Sequence, residues 1–240
     1  MKWDIRSFAQ LASTQDMLKS LAAEGALEGT AVQALEQKAG RGRHGREWNS
    51  PPGNLYISIL LRPDCDASGA GHISLLCAVA LASAIEQVLG ADGDILLKWP
   101  NDVFLAGRKC AGILLDTSIS TSGELEWVVV GIGVNITNAP LGIGSFLNDH
   151  SQEALDLSAF RDKLLKNLSD LYDIWRCDGF APICEKWVSL TYPEGAEVGV
   201  KIGTDMQKGA FAGIDENGNL LLRGEQGNMR VISAGDVYFS

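Results

Sequence analysis

Residues 38–48, KAGRGRHGREW, gather side chains that bind anions. Four basic residues stand against one acid there, although the whole chain has a formal net charge of −10. The glycines let the backbone approach a ligand closely, and each arginine adds a planar, permanently charged fork. The stretch therefore predicts a loop for phosphate or carboxylate, with a solvated surface loop or an RNA-binding arginine–glycine patch as alternatives. Its charged residues are Lys38, Arg41, Arg43, Arg46 and Glu47.

A second candidate is KWPND, residues 98–102. The residue before a proline is pushed toward extended backbone, so the preceding strand can end at Pro100. Asn101 and Asp102 would then stand at the strand exit, where binding groups collect in α/β sheets. The alternative is an Asn–Asp turn held by its own side-chain hydrogen bonds.

Two further motifs lie on predicted strands. Lys109 opens the apolar strand of GRKCAGILL, with solvated charge at a hairpin tip as the alternative. In GIGVNI, Gly131 and Gly133 remove side chains from a strand interior, which weakens the strand unless something packs against its backbone. A pair of bulges is the alternative there. Asn135 would offer donors and acceptors at the strand end.

A mixed sheet with helices would position these motifs. Ser13 with Asp16 three residues later makes an approximate capping box for a helix that Gly25 closes. The strands are nearly continuously apolar, which is typical of a sheet covered on its faces. After the last helix, short strands and the turns Asn217-Gly218 and Gln226-Gly227 predict a small β-barrel. We predict strands at 2–8, 30–37, 54–63, 95–99, 109–120 and 124–136, and further helices at 72–89, 151–176 and about 179–190.

Composition excludes several classes of protein. Hydrophobic residues make up 46% of the 240-residue chain, which is enough for a sizeable core, and no membrane span is expected. The five cysteines form no Cys-x-x-Cys pair and the three histidines are scattered, so no metal cluster from the protein is expected. A pI of about 4.8 argues against nucleic acid as a partner. No secretory signal is visible, so we expect a cytoplasmic protein.

Taken in order, GRGRHGR, KWPND, RKCAGIL and GIGVN resemble the biotin–protein ligase family, and the resemblance runs from STQ at 13–15 into the C-terminal module. It implies an α+β fold over residues 1–192, with a mixed β-sheet packed with helices as in class II synthetases and biotin/lipoate ligases. A small C-terminal SH3-like β-barrel is expected over 193–240. The implied ligands are ATP with Mg²⁺ and biotin as substrate. The implied intermediate is biotinyl-5′-AMP, and the implied acceptor is a lysine of a biotin carboxyl carrier protein.

The resemblance also implies roles for individual residues, with Mg²⁺ arriving on ATP near Asp102. The predicted catalytic residues are Lys109, Asp102 and Arg43. The predicted biotin-binding residues are Ser13, Thr14, Gln15, Gln37, Gly40, Arg41, Gly42, Arg43, Lys109, Gly131 and Gly133. The predicted ATP- or adenylate-binding residues are Arg41, Arg43, Arg46, Trp48, Asn101 and Asn135.

The chain departs from the family pattern in places. His44 stands where arginine is common, Lys38 where a small or neutral residue is common, and the chain ends at Ser240 where a basic residue is frequent. Ser13 lies too near the start for a DNA-binding winged helix, so a monofunctional ligase is expected, as a monomer or a homodimer. Alternatives are a lipoate or octanoate ligase, which would need a long apolar tunnel, and a non-catalytic biotin-sensing protein, which would have no need of Lys109 and the arginines together.

Two further expectations concern mobility and the division of the chain. The cations of residues 38–48 repel one another, and ordering costs roughly 1–2 kcal/mol per backbone residue. We therefore expect this loop to be mobile until biotin and ATP supply negative charge. Every motif lies before Tyr192, so residues 1–192 are expected to keep a complete biotin pocket on their own.

Overall fold

A computed structural model describes residues 1–90 and 94–239, and two β-sheets organise it. The helices are α1 (Thr14–Ala23), α2 (Ala70–Leu89), α3 (Leu157–Asp178) and α4 (Ala181–Ser189). The strands are β1 (Asp4–Phe8), β2 (Thr30–Ala34), β3 (Leu55–Leu61), β4 (Ile95–Lys98), β5 (Asp102–Leu105), β6 (Arg108–Ile119), β7 (Leu125–Val134), β8 (Glu197–Ile202), β9 (Asp205–Ile214), β10 (Leu220–Arg223), β11 (Met229–Ile232) and β12 (Asp236–Phe239).

The first sheet has seven strands in the order β1-β2-β3-β7-β6-β5-β4. The β1–β2 pair is parallel and the other pairs are antiparallel, so the predicted mixed sheet is confirmed. Helix α1 packs on one face through Leu18, and α2 and α3 pack with the main core. This two-sided cover explains why every residue of β3 is buried. Helix α2 has the length and composition of a membrane span, but it is largely buried as a core helix.

The second sheet has five antiparallel strands in the order β11-β10-β9-β8-β12. Among the described residues no pairing joins its edge strands β11 and β12. The predicted C-terminal β module is therefore present as an open sheet and not as a closed barrel. The predicted turns at Asn217-Gly218 and Gln226-Gly227 connect β9 to β10 and β10 to β11.

The second sheet is attached to the first through a turn and a shared core. Nε1 of Trp99 donates to the carbonyl of Gly218 at 3.0 Å, and Nε2 of His72 lies 2.8 Å from the carbonyl of Glu216. Val198 and Phe211 of the second sheet belong to the same buried cluster as α2. The KWPND tryptophan thus connects the two sheets, a role that the sequence did not indicate.

Local signals placed most element ends correctly. Ser13 caps α1 by accepting from the backbone N–H of Asp16, and Gly90 ends α2 with a φ of 84°. Helix α3 begins at Leu157 and not at 151, because Asp156 caps it by accepting from Ala159 N at 2.6 Å. Strand β5 was missed, since KWPND is the turn of a β4–β5 hairpin and not only a strand exit.

Candidate active site

A cleft of about 310 Å³ lies between the start of α1, the basic loop, strands β6 and β7, and the start of β12. Every predicted site residue lines it except Gly40. That glycine lies beneath the loop, where a Cβ would stand 2.4 Å from the carbonyl oxygen of Trp48 and 2.5 Å from Oγ of Ser50. The motifs, far apart in sequence, therefore converge on one cavity, with Gly40 shaping its wall.

The inner end of the cleft is polar and uncharged. Oε1 of Gln37 accepts from the backbone N–H and the hydroxyl of Thr14, at 2.8 and 3.1 Å. The hydroxyls of Thr14 and Ser58 are 2.9 Å apart, and Ser58 is 3.0 Å from Oε1 of Gln15. The two hydroxyl hydrogens serve three oxygen–oxygen contacts, so one of these contacts lacks a hydrogen and leaves acceptor capacity unused. This end of the cleft suits a neutral ring that carries both donors and acceptors.

Gln15 is held by the protein on all sides. Its Nε2 donates to Asp116 Oδ2 at 3.1 Å and to the carbonyl of Val129 at 3.0 Å. A Cβ at Gly131 would lie 2.5 Å from its Oε1. The side chain is only 4% exposed. It therefore forms the floor of the pocket and does not extend freely toward a ligand. Neither Asp116 nor Ser58 was singled out from the sequence, because neither belongs to a recognisable motif.

Glycines of β6 and β7 make room for Trp48. A Cβ at Gly133 would lie 2.6 Å from the indole ring, and one at Gly112 would lie 3.2 Å from it. Nζ of Lys109 lies 5.3 Å from the centre of the same ring, within cation–π range. The predicted reason for the two β7 glycines, close packing against the strand backbone, is therefore confirmed, with Gln15 and Trp48 as the packing groups.

Lys109 and Asp102 form the charged centre of the cleft. Nζ of Lys109 lies 2.6 Å from Oδ1 of Asp102, in an ion pair that lacks hydrogen-bond geometry. Asp102 is placed by β5, opposite Gly112 of β6. The side-chain amide of Asn101 donates to the carbonyl of Ile113 at 2.6 Å, and that of Asn135 donates to the carbonyl of Ser145 at 3.1 Å. Their observed contacts fix the cleft wall.

The basic loop finds carboxylates within the chain. Arg41 pairs with Asp16, and Lys38 lies 2.6 Å from Glu36. The loop is also closed on itself, because Gly42 N–H donates to the carbonyl of Arg46 at 2.7 Å. From the sequence we expected the loop to become ordered only with an external anion. In the structure, acids of α1 and the second sheet supply the negative charge, although mobility itself stays an expectation.

Asp236, at the start of β12, faces three loop residues. It pairs with Arg46, and its Oδ1 lies 3.6 Å from Arg43 and 4.0 Å from His44 Nε2. Partial burial opposes its ionisation, but the hydrogen bond and charge of Arg46, with the charges of Arg43 and His44, outweigh it and lower the pKa of Asp236. Burial lowers the pKa of Arg43, against the opposing charges of Asp236 and Asp102.

Two remaining features of the site concern metal binding and the chain end. In residues 1–90 and 94–239 there is no group of three or more His, Cys, Asp or Glu placed to hold a metal ion. Glu47, Asp102 and Asp236 are acids that line the cleft. Ser240, and with it the question of a terminal ATP contact, lies outside the described residues.

Comparisons with known proteins agree with this architecture. The biotin/lipoate A/B protein ligase family matches residues 7–135, and the biotin protein ligase C-terminal domain matches residues 195–240. A biotin–[acetyl-CoA-carboxylase] ligase of Paracoccus denitrificans is 39% identical over 89% of this chain and 92% of its own length. The bifunctional ligase/repressor BirA of Bacillus subtilis is 34% identical, over 93% of this chain and 70% of its own. A biotin protein ligase from Aquifex aeolicus, solved with biotin and ATP, superposes with a TM-score of 0.83 at 27% identity, covering 99% of this chain and 98% of that one. This chain belongs to the biotin/lipoate A/B protein ligase family.

Proposed function

We propose that this protein is an ATP-dependent biotin–protein ligase of the cytoplasm. One observation carries the proposal: Lys109 stands between a polar, uncharged pocket and a loop of arginines, all within one cleft. A neutral ring would fill the inner end, a carboxylate would reach Lys109, and phosphates would meet Arg43 and Arg46. The relatives named for biotin ligation support the same reading.

The reaction has two steps. A carboxylate oxygen of biotin attacks the α-phosphorus of ATP and the bond to pyrophosphate breaks, which gives biotinyl-5′-AMP. The amine of a carrier lysine then attacks the acyl carbon and AMP leaves. Lys109 is the fixed cation that stabilises charge on the α-phosphate in the first step. The acceptor is a biotin carboxyl carrier protein, such as a carboxylase subunit.

Magnesium enters with ATP as part of the substrate. Its positive charge would offset the triphosphate. Asp102 is the carboxylate placed closest to Lys109, at 2.6 Å. Its proposed roles are to hold Lys109 in place and to orient the incoming amine.

The floor of the pocket favours biotin over lipoate. An aliphatic acyl chain needs an apolar tunnel, whereas the inner end here is closed by Thr14, Gln15, Gln37 and Ser58. Burying an alkyl end against these groups would leave a polar acceptor without a partner, which costs about 1–3 kcal/mol.

The test is incubation with Mg·ATP and either biotin or lipoate, followed by mass spectrometry for the acyl-adenylate. We expect biotinyl-5′-AMP with biotin and no acyl-adenylate with lipoate. Adding a carrier domain should convert the adenylate into biotinylated lysine. Binding of biotin without adenylate would assign the chain to the biotin-sensing alternative, and lipoyl-adenylate would assign it to the lipoate ligases.

A further inference from the structure

Two arginines and a histidine of the loop share a single carboxylate from the second sheet. Arg43, His44 and Arg46 surround Asp236, which lies 190 residues from Arg46 in the chain and lines the cleft. The carboxylate has two oxygens for three basic side chains. One negative charge against the charges of Arg43 and Arg46 leaves the group with net positive charge, so these arginines retain attraction for a further anion.

Arg43 and Arg46 differ in the contacts that hold them. The difference determines which arginine can exchange Asp236 for another anion. Arg43 donates to the carbonyl of Gly235 at 3.3 Å and to Oδ1 of Asn101 at 3.3 Å, so neutral acceptors hold its guanidinium over the cleft. Arg46 has 63% of its side chain exposed and pairs with Asp236 at the rim. Exposed ion pairs are weak and screened by salt. Arg46 can thus change partner while Arg43 stays in place.

Asp236 itself is fixed by the fold of β12. The strand pairs with β8 from Asp236 onward, opposite Lys201. A Cβ at Gly235 would lie 2.8 Å from Cγ1 of Val200, so the chain before Asp236 runs tightly against β8. The carboxylate consequently stays at the cleft while the loop beside it can move.

We propose that Asp236 is a positioning residue that occupies the phosphate-binding cations of the loop in the free protein and releases them to the polyphosphate of ATP. Carboxylate and phosphate both accept paired N–H donors from arginine. A polyphosphate carries more charge than one carboxylate, so it wins the exchange once it is present. This inference rests on the proposed function for the identity of the polyphosphate, but the exchange itself can be measured without biotin chemistry.

The exchange predicts that removing the charge of Asp236 makes the loop of the free protein less ordered and raises its affinity for anions. Asp236→Asn removes the competing charge and keeps the side-chain shape. In the free protein the loop loses its ion pairs with β12, so trypsin should cut after Arg43 and Arg46 at least threefold faster than in the wild type. Magnesium-free inorganic pyrophosphate no longer competes with a carboxylate, so it should bind at least threefold more tightly by calorimetry and slow the cut again.

The controls separate exchange from a purely structural role. Glu194→Gln removes a carboxylate that pairs with Arg223 in the same C-terminal sheet, outside the cleft, and should change neither measurement. Asp236→Glu keeps the charge and should bind pyrophosphate like the wild type. In turnover, Asp236→Asn should lower KM for ATP, whereas loss of a structural support would raise it.

Two results would overturn the proposal. One is weaker or unchanged pyrophosphate binding by a folded Asp236→Asn protein, which would make Asp236 a simple structural contact. The other is an unchanged rate of loop cleavage in the free protein. Failure of the wild type to form biotinyl-5′-AMP would instead contradict the proposed function, and it would leave the pyrophosphate result standing.

Discussion

A Cβ atom at Gly131 would lie 2.5 Å from Oε1 of Gln15, closer than real side chains approach each other. Gln15 cannot retreat easily, because Asp116 and the carbonyl of Val129 hold its amide. Gly131→Ala should therefore displace Gln15 and weaken biotin binding. Overpacking of this kind costs about 1–3 kcal/mol.

A second substitution, Gln15→Ala, gives a direct check of this clash. Adding Gln15→Ala to Gly131→Ala should relieve the clash and recover part of the thermal stability. It should not recover Gly133→Ala, whose Cβ would meet Trp48 at 2.6 Å and not Gln15. Calorimetric biotin affinities and melting temperatures are measured for Gly131→Ala and Gly133→Ala, each with and without Gln15→Ala. They show how strongly each glycine position is coupled to Gln15. Equal rescue of both glycine variants would show that Gln15 is not the obstructing group.

Lys109→Ala should abolish adenylate formation while biotin binding stays measurable. Loss of one fixed donor at the reacting centre costs roughly 3–4 kcal/mol of barrier, a factor of about 10²–10³ in rate. Arg108→Ala is the matched control, since Arg108 is the exposed neighbour on the same strand. Single-turnover adenylate formation by mass spectrometry distinguishes the two. A wild-type rate in Lys109→Ala would remove this lysine from the mechanism.

Asp102→Asn should lower turnover more than biotin affinity. The change keeps the shape of the side chain but removes the charge 2.6 Å from Lys109, so that cation is no longer held at the centre of the cleft. Separate rates for adenylate formation and for transfer to the carrier show which step depends on Asp102. If both rates match the wild type, the residue serves only the turn that precedes β5.

The sequence predicted the parts of the site that depend on short-range signals. Short stretches of sequence predict the glycines of β7, the Ser13 cap and the KWPND turn. The glycines and the cap lie where they were predicted, and KWPND forms the turn between β4 and β5. Asp116, Ser58 and Asp236 could not be found in this way. Their roles come from contacts across 101, 43 and 190 residues, which arise only when α1, β3, β6 and β12 pack together.

Packing between the two sheets changes the expectation that residues 1–192 keep a complete biotin pocket on their own. Removing residues 193–240 would leave the indole N–H of Trp99 without Gly218 and expose a residue that is now 4% accessible. It would also remove Val198 and Phe211 from the shared core. We therefore expect the truncated protein to be destabilised, with a melting temperature well below that of the full chain. A truncated protein that melts as the full chain does and binds biotin normally would support the original expectation of an autonomous pocket.

Stability should also depend on pH through His72, which lies between the two sheets. Burial lowers the pKa of His72, although the hydrogen bond to Glu216 and the charges of Asp215 and Asp66 oppose the shift. Its ring stacks on Phe180 at 4.0 Å, and Nδ1 accepts from Trp175 Nε1 at 3.3 Å. A proton on Nδ1 would break that hydrogen bond, so the folded state favours the neutral ring.

The sign of the effect follows from this shift. Because the folded pKa lies below the unfolded one, the contribution of His72 is complete above about pH 6.5 and declines as the pH falls below that value. One proton can change the free energy of unfolding by at most about 1.4 kcal/mol per pH unit. Melting temperatures measured from pH 7.5 to 5.5 should fall, and His72→Gln should flatten that slope. The same slope in His72→Gln would place the titrating group elsewhere in the molecule.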